Sequence, residues 1–243
     1  YDLHKLYIGT QGMFGPIYSI SFKVYPKPNY ETQVIVGFEN YEDVINITKK
    51  YLPLNWNIPR LAIYSSNKPK RKLYELFCNI SGTKNVVDYI QKSITEDIKL
   101  NNGSLVEVNN DINIPVNLDD FGYNLNEDQL SIRILSSKNS DFQHIVNYFE
   151  NCKLNFQLLI NPSIGSISLL IENNDNILSY IDEISEISRL NNYKIILDYS
   201  NISLRNRLRN KFKNNYNQSI LNLTTLLKKN YDPQNLFSPG KIL

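Results

Sequence analysis

The strongest constraint on the fold is an order of apolar periodicities that runs through the chain twice. Gln33 to Phe38 reads as a strand, and Tyr41 to Leu52 then carries Val44, Ile45, Thr48, Tyr51 and Leu52 at helical spacing. Arg60 to Tyr64 and Leu73 to Ile80 follow as two strands joined by the polar stretch Ser65 to Arg71. Val86, Val87, Ile90, Ile94 and Ile98 mark one face of a second helix, and Leu105 to Val108 closes a β-α-β-β-α-β unit.

The same order returns further on. Leu130 to Leu135 is a strand, Phe142, Ile145, Val146 and Phe149 stripe a helix, and Asn155 to Ile160 pairs with Ser166 to Ile171 around an Asn161-Pro162 turn. Ile177, Ile181, Ile184 and Ile187 then form a helix face before the strand Lys194 to Tyr199. Two successive split β-α-β halves follow from this pattern, either as separate ferredoxin-like units or as one continuous sheet. Val108 to Leu125 is polar and without a sustained period, which suits an exposed connection between the halves. Leu204, Leu208, Phe212, Tyr216 and Ile220 predict a terminal helix from about Leu204 to Lys229.

Composition removes several function classes. With 42% hydrophobic and 21% charged residues the chain is an ordinary globular polypeptide, and at 243 residues it can bury a core. A formal net charge of +2, with scattered basic residues, asks for no nucleic acid; the cluster Arg205 to Lys213 reads as a solvated helix face. Cys78 and Cys152 lack the paired spacing of a zinc or iron–sulfur site and read as buried thiols of a cytoplasmic protein. No apolar run reaches the ~20 residues that cross a bilayer, so no transmembrane segment is expected. The histidines are His4 and His144 alone, too few for a histidine-rich metal site, and no metal is expected. No Ser-His-Asp arrangement or P-loop is visible.

The chemistry sits at the two ends. Residues 1–28 read YDLHKLYIGTQGMFGPIYSISFKVYPKP. Glycines 9, 12 and 15 allow close backbone approach to a ligand, and Ile20, Phe22 and Val24 alternate with Ser19, Ser21 and Lys23 as a half-buried strand would. This stretch resembles the end of the flavin domain in FAD-linked oxidases of the vanillyl-alcohol-oxidase type, with Asp2, Leu3, Leu6, Gly9, Gly12 and Gly15 matching. The last residues, YDPQNLFSPGKIL from Tyr231 to Leu243, resemble the ending of the same oxidases, which returns the chain to the flavin domain. Between them the short cap, with LSIRILS at Leu130 to Ser136, is similar to that of the FAD-binding subunit of glycolate oxidase.

The resemblance implies an α+β fold: the end of an FAD-binding domain over residues 1–28, a duplicated ferredoxin-like cap over 29–200, and a C-terminal helix and tail over 201–243 packing back on the flavin domain. It assigns FAD contact to Gly9, Thr10, Gln11, Gly12, Phe14, Gly15, Ile17 and Ser238, and makes Arg133 the substrate candidate. Thr10 stands for the usual Ser, Gln11 for Glu and Ser238 for Asn, while Pro16 removes a backbone donor. The amino-terminal flavin half is not in this sequence, so the resemblance implies an incomplete FAD site finished by that half or by a partner chain. It further implies a subunit of a glycolate- or D-lactate-type 2-hydroxy acid oxidase or dehydrogenase. A larger flavoprotein subunit and an iron–sulfur subunit would be its partners, through which it would touch the membrane periphery. The rival reading is a non-catalytic interaction subunit that has lost flavin. Both rest on the two ends meeting in space, Gly12 beside Gly240.

Overall fold

The computed structural model describes residues 4–10, 12–55, 57–67, 73–109, 121–122, 125–136, 142–172, 174–213 and 218–239. Its elements run α1 (His4–Tyr7), β1 (Tyr30–Phe38), α2 (Tyr41–Tyr51), β2 (Arg60–Ser66), β3 (Leu73–Gly82), α3 (Lys84–Leu100), β4 (Ser104–Asn109), β5 (Gln129–Leu135), α4 (Gln143–Asn151), β6 (Phe156–Asn161), β7 (Ser166–Glu172), α5 (Ile177–Leu190), β8 (Lys194–Tyr199), α6 (Ile202–Lys213) and α7 (Gln218–Tyr231). The chain divides into two compact units, Lys27–Arg207 and Tyr1–Pro26 with Leu208–Leu243.

The larger unit is one antiparallel sheet of eight strands in the order β4-β1-β3-β2-β6-β7-β5-β8. Each set of four strands has the order of a split β-α-β motif, and the pairing of β2 with β6 joins them, so the sheet is continuous. The periodicities therefore place all eight strands and the four helices between them. At the β6–β7 turn, Gly165 is left-handed (φ 62°), and a Cβ there would lie 2.8 Å from the Ser136 carbonyl oxygen, so glycine is required on both counts.

Strand alternation gives the sheet two unlike faces. Along one, the register carries Val36, Leu76, Ile63, Ile160, Ile167, Ile134 and Ile195 from strand to strand, all buried. The helices pack here: Tyr41 of α2 meets Tyr74 of β3, and Phe149 of α4 meets Phe156 of β6, at ring distances of 5.7 and 4.9 Å. Tyr74 also donates its hydroxyl proton to Glu150 of α4. Every helix in this unit buries an aliphatic stripe, Val87, Ile90, Ile94 and Ile98 in α3 among them. Burial of this kind stabilises by about 25 cal/mol for each Å² of apolar surface.

The adjacent row on the opposite face reads Gly37, Glu75, Tyr64, Leu159, Ser168, Arg133 and Ile196. A small cluster of Ile35, Ala62, Phe77 and Leu159, with Tyr64 and Phe121 against it, is its apolar part. Glu75, Gln157, Ser131, Ser168 and Arg133 are among its polar side chains. Cys78 lies buried in the sheet and Cys152 is half-buried; neither forms a disulfide.

Two expectations change. Residues 16–28 form no strand: Ile20, Phe22 and Val24 are 57, 78 and 83% exposed, and among the described residues no strand lies beside them. A period-two sequence becomes a strand only when another strand takes its N–H and C=O groups. The terminal helix is described as α6 and α7, with residues 214–217 between them outside the described set. Leu204 and Leu208 are buried as its stripe predicts, Ile220 is exposed, and the side chains of Phe212 and Tyr216 are outside the described set. Arg205 and Arg207 on α6 are exposed. No helix among the described residues is long and apolar enough to cross a membrane.

Candidate functional site

The smaller unit is built around the glycine loop. After α1 the chain turns tightly: Thr10 donates both its amide and its hydroxyl to the Tyr7 carbonyl, and Met13 N–H returns to the Thr10 carbonyl at 3.0 Å. Gly9, Gly12 and Gly15 all have positive φ, at 79°, 76° and 139°. The loop is anchored from below by Met13 and Phe14, both buried, with Phe14 in a ring cluster with Tyr7 and Tyr231. Its upper edge stays open: Gly9 is exposed, and a Cβ there would meet nothing within 4 Å.

The tail meets this loop. A Cβ on Gly12 would stand 3.5 Å from Ser238 Oγ. Beneath that contact lies a buried cation, Lys228, near the end of α7. Its Nζ donates to the carbonyl oxygens of Met13 (2.7 Å) and Phe237 and to Asp232 Oδ2, which uses all three of its protons. Asp232 in turn accepts the amide protons of Leu236 (2.9 Å) and Phe237 (2.8 Å). Burial alone would raise the Asp232 carboxyl, but Lys228 and the two amides outweigh it and hold it below the usual carboxylate range. One ammonium thus ties the glycine loop, the helix end and the tail together.

The sequence-assigned cofactor positions fall unevenly on this arrangement. Gly9, Thr10, Gly12, Phe14, Gly15 and Ser238 share the smaller unit, Thr10 and Phe14 as internal supports and Ser238 against the loop with φ 42°. Ile17 belongs to the exposed stretch. Gln11 and Gly240 lie outside the described residues, so the meeting of the two ends is carried by Gly12 and Ser238. Lys228 escaped the sequence reading because a lysine beside Lys229 reads as surface. The available signal was its spacing of four from Asp232, the residue just past the helix end.

The larger unit has its own candidate cleft, on the sheet face opposite the described helices. A cavity of about 520 Å³ is lined by Phe121, Ser131, Arg133, Ser168, Asp198 and Tyr199, among others. Arg133, in the middle of β5, grips Asp198 of β8 with Nη2 to Oδ1 at 2.6 Å and Nε to Oδ2 at 3.0 Å. Nearby on this face Tyr64 donates to Gln157 Oε1, and burial pushes the Glu75 carboxyl above its ordinary value. Arg133, the substrate candidate of the sequence, thus lines this cavity half-exposed and paired with Asp198. The sequence reading missed Asp198, although a lone acid closing the apolar strand Lys194–Tyr199 was its signal. His144 is exposed on α4, and among the described residues no three metal-binding side chains converge.

No family model matches the chain, and no curated protein matches its sequence. Solved structures do match. Alkyldihydroxyacetonephosphate synthase superimposes on 98% of this chain with a TM-score of 0.60 at 12% identity. p-Cresol methylhydroxylase with substrate bound covers 89% with a TM-score of 0.56 at 13% identity. Glucooligosaccharide oxidase from Acremonium strictum, whose FAD carries 6-S-cysteinyl and 8α-N1-histidyl links, covers 89% with a TM-score of 0.52 at 12% identity. The chain spans 49, 53 and 56% of those three chains, about half of each. It has the fold of the carboxyl-terminal part of FAD-linked oxidases of the vanillyl-alcohol-oxidase type.

Proposed function

We propose that this chain supplies one part of the FAD site, and the substrate-holding sheet, of an FAD-dependent oxidoreductase. The observation that carries the reading is the convergence of Gly12 and Ser238 over the Lys228 clasp. Gly9, at positive φ, exposed and with nothing within 4 Å of a Cβ, fits a cofactor that lies close against backbone, and Gly12 is exposed beside it. When bound, FAD supplies the hydride acceptor. Gly9 and Gly12 would admit it, the buried Gly15 with Thr10 and Lys228 would hold the loop in shape, and Ser238 would offer a hydroxyl. In the sheet unit, now read as a cap, Arg133 would hold the carboxylate of a 2-hydroxy acid of the glycolate or D-lactate kind.

The rest of the FAD site would come from a further polypeptide segment, in the same chain or in a partner. The stretch Ile17–Val24 supports this: its alternating, exposed Ile20, Phe22 and Val24 suit addition to another sheet edge. The same stretch would serve a non-catalytic interaction subunit, so colour decides between the two. The chain is to be co-expressed with the product of the neighbouring reading frame and the copurified material scanned for flavin absorbance. The expected result is a yellow complex that oxidises glycolate or D-lactate; a stable but colourless complex would overturn the proposal in favour of the interaction subunit.

A further inference from the structure

The cleft on the sheet carries an acid that a simple carboxylate-binding site would not want. β8 departs from regular pairing opposite β5: Ser131 faces Tyr199 while Ile132 faces Leu197, leaving Asp198 as the extra residue of a bulge. In a regular strand, adjacent residues point to opposite faces, so one of Asp198 and Tyr199 would be turned away. With the bulge, both line the same cavity as Arg133. Bulges re-aim side chains in this way.

The result is a cleft in which a cation and an anion are fixed side by side. A bare carboxylate approaching Arg133 meets the repulsion of Asp198 at nearly the same distance as the attraction of the guanidinium. A hydroxyl next to that carboxylate reverses the effect of Asp198, whose oxygens keep lone pairs beyond the two Arg133 bonds and can accept the hydroxyl proton. Ser131 and Ser168 add small hydroxyls to the lining, and Phe121 adds an apolar wall. We infer that Asp198 is the specificity-determining residue of this cleft, requiring a hydroxyl beside the carboxylate that Arg133 holds. The inference rests on the proposed 2-hydroxy acid reading for the carboxylate, and adds the residue that selects the hydroxyl.

The test is a pair of binding titrations on the full chain, glycolate against acetate and D-lactate against propionate, followed by chemical-shift or calorimetric readout. The hydroxy acid of each pair is expected to bind at least about 10-fold more tightly, the loss typical of a site whose hydrogen-bonding group is left unmatched. Asp198→Asn should reduce that preference to within about two-fold while strengthening acetate, because the Asp198 charge no longer repels the incoming carboxylate. Circular dichroism confirms that the variant is folded; if it is not, the comparison of ligands on the unaltered chain still decides. Equal binding of glycolate and acetate would overturn the role of Asp198 and leave Arg133 as a carboxylate site. Binding of neither would remove the cleft from the reaction altogether. A colourless complex that still prefers hydroxy acids would sink the flavin reading and leave this inference standing.

Discussion

The two units of this protein reach a fixed geometry by opposite means. The sheet unit holds its shape through a continuous aliphatic row, from Val36 across the strands to Ile195, sealed by the stripes of four helices. Among its described residues the smaller unit buries Met13, Phe14 and Leu208 as its hydrophobics, and it ties its segments through one ammonium shared by three acceptors. Apolar burial is tolerant of sequence because many contacts share the load. A polar clasp is not, because each donor has a single destination and its loss leaves a buried group unpaired.

Substitutions should separate the two. The largest effect is expected in the sheet: Leu130→Ala or Ile160→Ala, at fully buried positions, should destabilise by about 2–5 kcal/mol, read as a lower denaturant midpoint. If these changes leave the midpoint unmoved, the aliphatic row does not carry the fold. Next comes Lys228→Met, which strands the Asp232 carboxylate away from its cation. Amide exchange should accelerate around Met13 and at Leu236 and Phe237 while the amides of β2, β3 and β6 stay protected. Uniform acceleration everywhere would mean that the two units do not respond independently.

Acid and base should pull the units apart in opposite directions. Asp232 is held below its ordinary range, so its contribution is present above about pH 4 and is lost as the pH falls through its depressed value. Glu75 is raised by burial, so the unfolded chain ionises first and the sheet loses stability as the pH climbs from about 4.3 to that raised value. Glu75→Gln should flatten the second slope and leave the first intact. The smallest effect is chemical: burial pushes the Cys78 thiol up to about 12, so an alkylating reagent near neutral pH should label the half-buried Cys152 and spare Cys78 until unfolding.

Sequence reading succeeded where periodicity reports burial. The apolar alternation in β2, β3, β5 and β7 and the i, i+3, i+4 stripes of α3, α4 and α5 each encode one buried face, and the order of elements then leaves few topologies. It failed at Ile17–Tyr25 because alternation records a capacity for pairing and not the neighbour that realises it. Lys228 and Asp198 were hidden for another reason. Both are charged residues whose placement depends on partners far away in sequence, Met13 for the one and Arg133 for the other. The glycine loop stood out because positive φ leaves its mark in the residue type itself.

The join between β2 and β6 has a consequence for the origin of the sheet. These are the corresponding second strands of the two halves, and they run antiparallel with Ile63 opposite Ile160. Like edge on like edge is the geometry of a two-fold axis, so the join is an isologous contact of the kind that builds homodimers, here internalised within a single chain. Either half alone would present an edge complementary to its own copy. A fragment spanning residues 27–125 should therefore sediment as a dimer, and a well-folded monomer would show that the symmetry is only topological.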